Sequence, residues 1–199
     1  MTRARDVANI DGLLTTTGDT YYASAAGTPA RLGIGSTSQV LTVAAGIPTW
    51  ATPASGTTFV GCSIYKSGVQ NIANNTATTL TWDSEVFDTD TFHSTSVNTD
   101  RITIPSGKSG KYLFCWNVAY TAANTGYRGN TFLKNGTTVN YQYTPAVGTA
   151  AEMSLCATYI DSATAGDYYT LTAEQNSGGA LDIRGGAIRS FFSCQYLGA

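Results

Sequence analysis

Apolar residues in the first quarter of this chain come in ones and twos. Between Gly18 and Trp50 the short apolar groups (Leu32 and Ile34; Val40, Leu41 and Val43; Ile47) are separated every few residues by Gly, Ser, Thr and Pro. Brief strands with punctuated turns follow from such a pattern. A segment this polar and glycine-rich cannot bury itself, yet it is too regular for a linker. We therefore expect copies of the chain to share these faces in an intertwined, β-rich stalk. Leu32, Ile34, Val40, Leu41, Val43, Ile47 and Trp50 would be its assembly residues, the segment acting as a joint that Trp50 plugs.

The pattern changes at "ATPASGTTFVG", which places a boundary around residues 54 to 58. Beyond it, denser runs with strand periodicity predict strands at Phe59 to Lys66, Thr78 to Trp82, Arg101 to Ile104, Lys111 to Thr121, Gly129 to Lys134, Thr137 to Tyr143, Met153 to Asp161, Tyr168 to Ala173 and Ser190 to Leu197. The Asn135-Gly136 pair predicts a type I′ hairpin between two of them. This spacing suits a β-sandwich. At the other extreme, Asp6, Val7, Ile10 and Leu13 fit one or two helical turns, a segment suited to docking on a larger assembly. The expected organisation is a docking segment over 1–15, a stalk over 16–57 and a head over 58–199.

Composition agrees with an all-β reading: 12% of residues are charged, and there are 21 glycines and 12 tyrosines among 199 residues. Net charge is −2, and the basic residues stand singly, so nothing resembles a stripe for a phosphate backbone and no nucleic-acid partner is expected. The opening "MTRARDVANIDGLL" lacks the continuous apolar stretch of a secretory signal, so synthesis in a cytoplasm is the expectation. The uncharged interval from Arg31 to Lys66 is interrupted too often to span a bilayer.

Candidate chemistry is sparse. His93, the single histidine, lies in "FDTDTFHSTS" and reads as a surface or loop residue with no catalytic role, because neither a triad nor a zinc site has a second histidine to draw on. Asp83, Glu85, Asp88 and Asp90 form the acidic concentration; their spacing is not that of an EF-hand, and solvated loop charges are expected. Cys62, Cys115, Cys156 and Cys194 contain no C-x-x-C pair. They read as buried, inert thiols, with a disulfide or a metal as the alternatives. No enzyme, no cofactor and no metal site is expected.

Two resemblances carry the reading further. "SGKYLFCWNVAY", "GDYYTLTAEQ" and "RSFFSCQYLG" resemble the central, penultimate and final strands of the trimeric jelly roll shared by complement globular heads and the tumour necrosis factor family, although Cys194 stands where glycine is usual. "YASAAGTPARLGIGSTSQVLTV", leading through Gly46 and Pro48 to Trp50, resembles a collar-type segment of bacteriophage fibre and other virion proteins. The first resemblance implies a homotrimer and places the four cysteine strands side by side in one sheet. It also implies that loops 122 to 128, 144 to 151 and 176 to 188 lie at the far tip. Asn124, Tyr127, Arg128, Tyr143, Asn176, Asp182 and Arg184 are then the candidate receptor-binding residues, while Tyr65, Tyr120, Tyr159 and Tyr196 belong to core or subunit packing. Together the resemblances imply a homotrimeric virion protein that docks on another virion protein and adheres to a host surface glycan or protein. The alternative is a capsid decoration or cement protein with no specific receptor.

Overall fold

A computed structural model describes residues 12–53, 58–147 and 151–199. The helical turns expected before residue 12 lie outside the described residues. The chain divides into two compact units, the second running from Phe59 to Ala199.

The first unit holds two antiparallel hairpins, β1 (Thr20–Ala25) with β2 (Thr28–Leu32) and β3 (Val40–Ala44) with β4 (Ile47–Ala51). Asp19 organises the approach to them. Its carboxylate accepts the amides of Thr15, Thr16 and Ile34 and the Nε of Arg31 at 2.7–3.0 Å. The Arg31 guanidinium, together with those amides, lowers the Asp19 carboxyl to about 2. Trp50 donates from Nε1 to the Gly33 carbonyl at 2.8 Å, and its ring lies so close over Gly35 that a Cβ there would fall 2.5 Å from a ring carbon. Trp50 thus ties one hairpin to the segment following the other.

The second unit is a β-sandwich. Its strands are β5 (Gly61–Tyr65), β6 (Gln70–Ile72), β7 (Thr78–Thr79), β8 (Ser84–Asp88), β9 (Arg101–Thr103), β10 (Gly110–Tyr120), β11 (Tyr127–Lys134), β12 (Thr137–Pro145), β13 (Met153–Ala163), β14 (Tyr168–Gln175), β15 (Leu181–Ile183) and β16 (Phe191–Gly198). One sheet runs β6-β15-β10-β16-β5-β8, with β13 on the other side of β10. The facing sheet runs β12-β11-β14, with β7 and β9 both on the free side of β14. The described residues contain no helix.

Alternation along each strand builds the core. Tyr112, Phe114, Trp116 and Val118 of β10 point inward with Phe132, Tyr169, Leu171 and Phe192. Phe132 is the hub, stacked on Trp116 (4.9 Å, 28°) and Tyr169 (5.4 Å, 17°) and edge-on to Phe192. The expected hairpin is present: Asn135 and Gly136 take φ of 50° and 79°, with Lys134 opposite Thr137. Three short strands, β6, β8 and β15, were not expected, and the strand expected over Thr78 to Trp82 closes after Thr79, although Leu80 still donates to the Leu171 carbonyl.

The four cysteine strands are neighbours in the order β13-β10-β16-β5. Alternation divides their thiols. Cys62 and Cys194 sit opposite each other, buried, with sulfurs 3.7 Å apart, whereas Cys115 is half-buried and Cys156 exposed on the outer face. All four are free. The expectation of four buried thiols is corrected to two, because residues 115 and 156 fall on outward positions of their strands.

Candidate functional site

β16 ends beside the start of this unit, with Gln195 paired to Gly61. At the opposite end of the sandwich, the loops after β10, β12 and β14 meet: Ala146 donates to the Gly126 carbonyl, Thr125 Oγ1 to the Ser177 carbonyl, and the Tyr127 amide to Asn176 Oδ1. Gly126, at φ 73°, lies against the Asn176 backbone, where a Cβ would be 2.2 Å from its carbonyl oxygen. Only glycine fits that approach.

Arg128 holds this knot from inside. The residue is 1% exposed, and its guanidinium donates to the carbonyls of Ala123 (3.1 Å), Thr125 (3.1 Å) and Tyr127 (2.8 Å). Burial lowers its pKa from the ordinary arginine value. Expected as a receptor contact, Arg128 instead directs its Nη1 and Nη2 donors to its own loop, while its buried Nε has no partner among the described residues. Asn176 is likewise committed to the Tyr127 amide, while Asn124 is exposed at the loop crest.

Tyr127 and Tyr143 emerge from this knot on the outer face of the β12-β11-β14 sheet. Glu174 joins them: its two carboxylate oxygens accept the Tyr127 hydroxyl and the Tyr143 hydroxyl, the latter at 3.2 Å. The Glu174 carboxylate pushes the Tyr127 phenol up to about 12, since ionising it would place two negative charges together. The rings of Tyr127 and Tyr143 meet edge to face at 5.3 Å, and Tyr141 extends the row at 5.9 Å. Sequence reading missed Tyr141, Glu174 and Gly129. The signal for Tyr141 was present, because residues 141 and 143 share a face of one strand. Glu174 and Gly129 needed the register that sets them side by side.

Asp182 lies on β15 of the other sheet and Arg184 directly follows that strand. Asp182 accepts from Asn71 Nδ2 at 2.8 Å, and Arg184 Nε pairs with Glu152 at 2.8 Å beside Arg189. They do not join the tyrosine cluster.

His93 lies in a loop as expected, but its ring is enclosed rather than at the surface. Nδ1 faces Glu85 Oε1 at 2.9 Å, and the Asp88 carboxylate accepts the amides of Asp90, Phe92 and His93, which folds the loop around the ring. The acidic side chains are each engaged separately, Asp83 with Ser67 and Lys66 and Asp90 with Lys108. Among the described residues, no three His, Cys, Asp or Glu side chains converge to hold a metal. No described helix is long and apolar enough to cross a membrane.

The arrangement is that of a tumour necrosis factor-like jelly roll. The structure of murine APRIL at pH 8.0 superposes with a TM-score of 0.54 at 14% identity, covering 70% of this chain and all of that one. Eiger TNF from S. frugiperda gives 0.53 at 13% identity, covering 70% and 93%. At these identities the likeness is one of fold. No protein-family model and no curated protein matches the sequence.

Proposed function

We propose that the protein is a homotrimeric structural virion protein of a bacteriophage, a short fibre or spike whose head attaches the particle to the host cell surface. Residues 1–15 would dock on a neighbouring virion protein after assembly in the host cytoplasm, and no catalytic step is involved.

The observation that carries this reading is the exposure of the N-terminal apolar residues in a single chain. Ile34 and Leu41 are each 54% exposed and Val43 73%. An isolated two-stranded hairpin is marginal in water, so these two hairpins gain a core only from other copies. The head supports the same stoichiometry. On the outer face of its larger sheet, from β5 through β16 and β10 to β13, Leu113, Ile160, Phe191 and Leu197 stand among small polar residues, with Lys111 at one end the single charged outward side chain among the described residues. Such a face suits burial against another copy. The jelly-roll fold favours three copies, and the resemblance of Tyr22 to Trp50 to a collar-type fibre segment favours a virion.

Attachment by such a head gains from multivalency, since three tips per fibre raise effective concentration. Two measurements test the reading. Sedimentation equilibrium of the full chain should give three times 20.9 kDa, and a species of 20.9 kDa at micromolar concentration overturns the trimer. Fluorescently labelled protein should bind saturably to at least one strain in a panel of Gram-negative and Gram-positive bacteria. Absence of saturable binding across the panel, with the protein located on purified particles, replaces attachment by capsid decoration.

A further inference from the structure

The outer face of β12, β11 and β14 differs in chemistry from the rest of the head surface. Across its rows the register sets Tyr143 beside Gly129 and Glu174, and Tyr141 beside Thr131 and Thr172. Gly129 leaves no side chain between its neighbours. The Tyr143 ring lies down into that gap, so close that a Cβ at 129 would fall 2.3 Å from a ring carbon. Tyr141 is 69% and Tyr143 46% exposed. Three aromatic rings thus form a continuous ridge at the surface of a rigid sheet, flanked by threonine hydroxyls and one carboxylate.

The tethering of this ridge is what points to a ligand. Glu174 takes the hydroxyls of Tyr127 and Tyr143 on its two oxygens, which ties both of these rings to the sheet and occupies their hydroxyls. Tyrosine held in this way offers a large contact area with little entropy left to lose. From β12 to β14, Glu174 is the one charged outward side chain among the described residues, and the two donors already satisfy much of its charge. A polyanion would meet that carboxylate, and the nearest cation on this face, Arg101 opposite Thr170, is already held by Asp100. An apolar protein patch would leave the Thr131 and Thr172 hydroxyls covered without partners. A pyranose fits both halves of the surface: its apolar C–H face stacks on a ring while its rim of hydroxyls donates to Glu174 and exchanges hydrogen bonds with the threonines.

Resting on the attachment reading, we propose that this face is a carbohydrate platform for a neutral hexopyranose glycan, stacked on Tyr141 and Tyr143 and held at its hydroxyl rim by Glu174, Thr131 and Thr172. The platform lies on the sheet face beside the tip loops, not on the loops themselves. Glu174 both positions the Tyr143 ring and accepts the sugar.

The test applies the full chain to an array of defined oligosaccharides containing neutral, amino and uronic-acid hexose units, with affinities for the bound members measured by calorimetry. The wild-type chain should bind at least one neutral oligosaccharide. Tyr141→Ala should weaken it roughly tenfold or more, the loss expected for one stacking face. Tyr141→Phe, which keeps the face, should retain it, and this guards against misfolding as the cause of the alanine result. Glu174→Gln should weaken binding while leaving the unfolding midpoint close to that of the wild type. Binding confined to uronic-acid members, binding unaffected by Tyr141→Ala, or no binding on the array overturns the platform. The attachment reading survives any of these outcomes if the cell-panel binding persists, so the two can fail separately.

Discussion

Replacing Arg128 with methionine separates a structural arginine from a receptor contact. The substitution keeps most of the side-chain volume and removes the donors to the carbonyls of Ala123, Thr125 and Tyr127. A hydrogen bond from a charged donor contributes about 1.5–3 kcal/mol net, so three would represent roughly 4.5–9 kcal/mol if they were additive. Bonds within one network are not additive, and methionine also removes a buried Nε that has no partner, so part of that sum is offset. Three loop carbonyls remain facing a thioether, and the net loss should be about 2–4 kcal/mol. Against a typical domain stability of about 5–15 kcal/mol this is readily measured. Urea unfolding at fixed protein concentration, followed by the fluorescence of Trp82 and Trp116, should show a lowered midpoint at unchanged slope. Hydrogen exchange should accelerate first in amides 121–128, which the guanidinium fastens. If Arg128→Met leaves the midpoint within about 0.5 kcal/mol of wild type and exchange unaltered, yet abolishes cell binding, the structural role is wrong and Arg128 is a contact residue.

Gly129→Ala should cost about 1–3 kcal/mol and lift Tyr143 off the sheet, because the new Cβ would lie 2.3 Å from its ring; unchanged stability with an unshifted Tyr143 resonance in NMR spectra would contradict the close approach. In the N-terminal unit, the lowered Asp19 carboxyl contributes stability that is fully present above the ordinary aspartate value of 3.8 and is lost as pH falls through about 2. The indole resonance of Trp50, hydrogen-bonded to Gly33, should report that acid transition, and Asp19→Asn should weaken the unit at neutral pH and remove the transition; an indistinguishable acid titration in the variant would refute the assignment.

Much of this architecture was written in local pattern. The apolar, aromatic-rich run in "SGKYLFCWNVAY" predicted a strand, and Asn135-Gly136 predicted the hairpin that joins β11 to β12, because both follow from backbone geometry within a few residues. The isolated apolar groups of the first unit likewise foretold side chains that one chain leaves exposed. The short strands β6, β8 and β15 escaped notice because so few residues carry little periodicity, and they exist only because a longer neighbour offers its edge. Which face each residue takes, and what lies across from it, is a property of register. The split of the cysteines into a buried pair and two outward thiols, the inward turn of Arg128 and the enclosure of His93 were all decided by packing between distant segments. So was the meeting of Tyr143, Gly129 and Glu174. A carboxylate 31 residues from a tyrosine becomes its hydrogen-bond partner only when β11 runs between β12 and β14, and that placement is a tertiary fact.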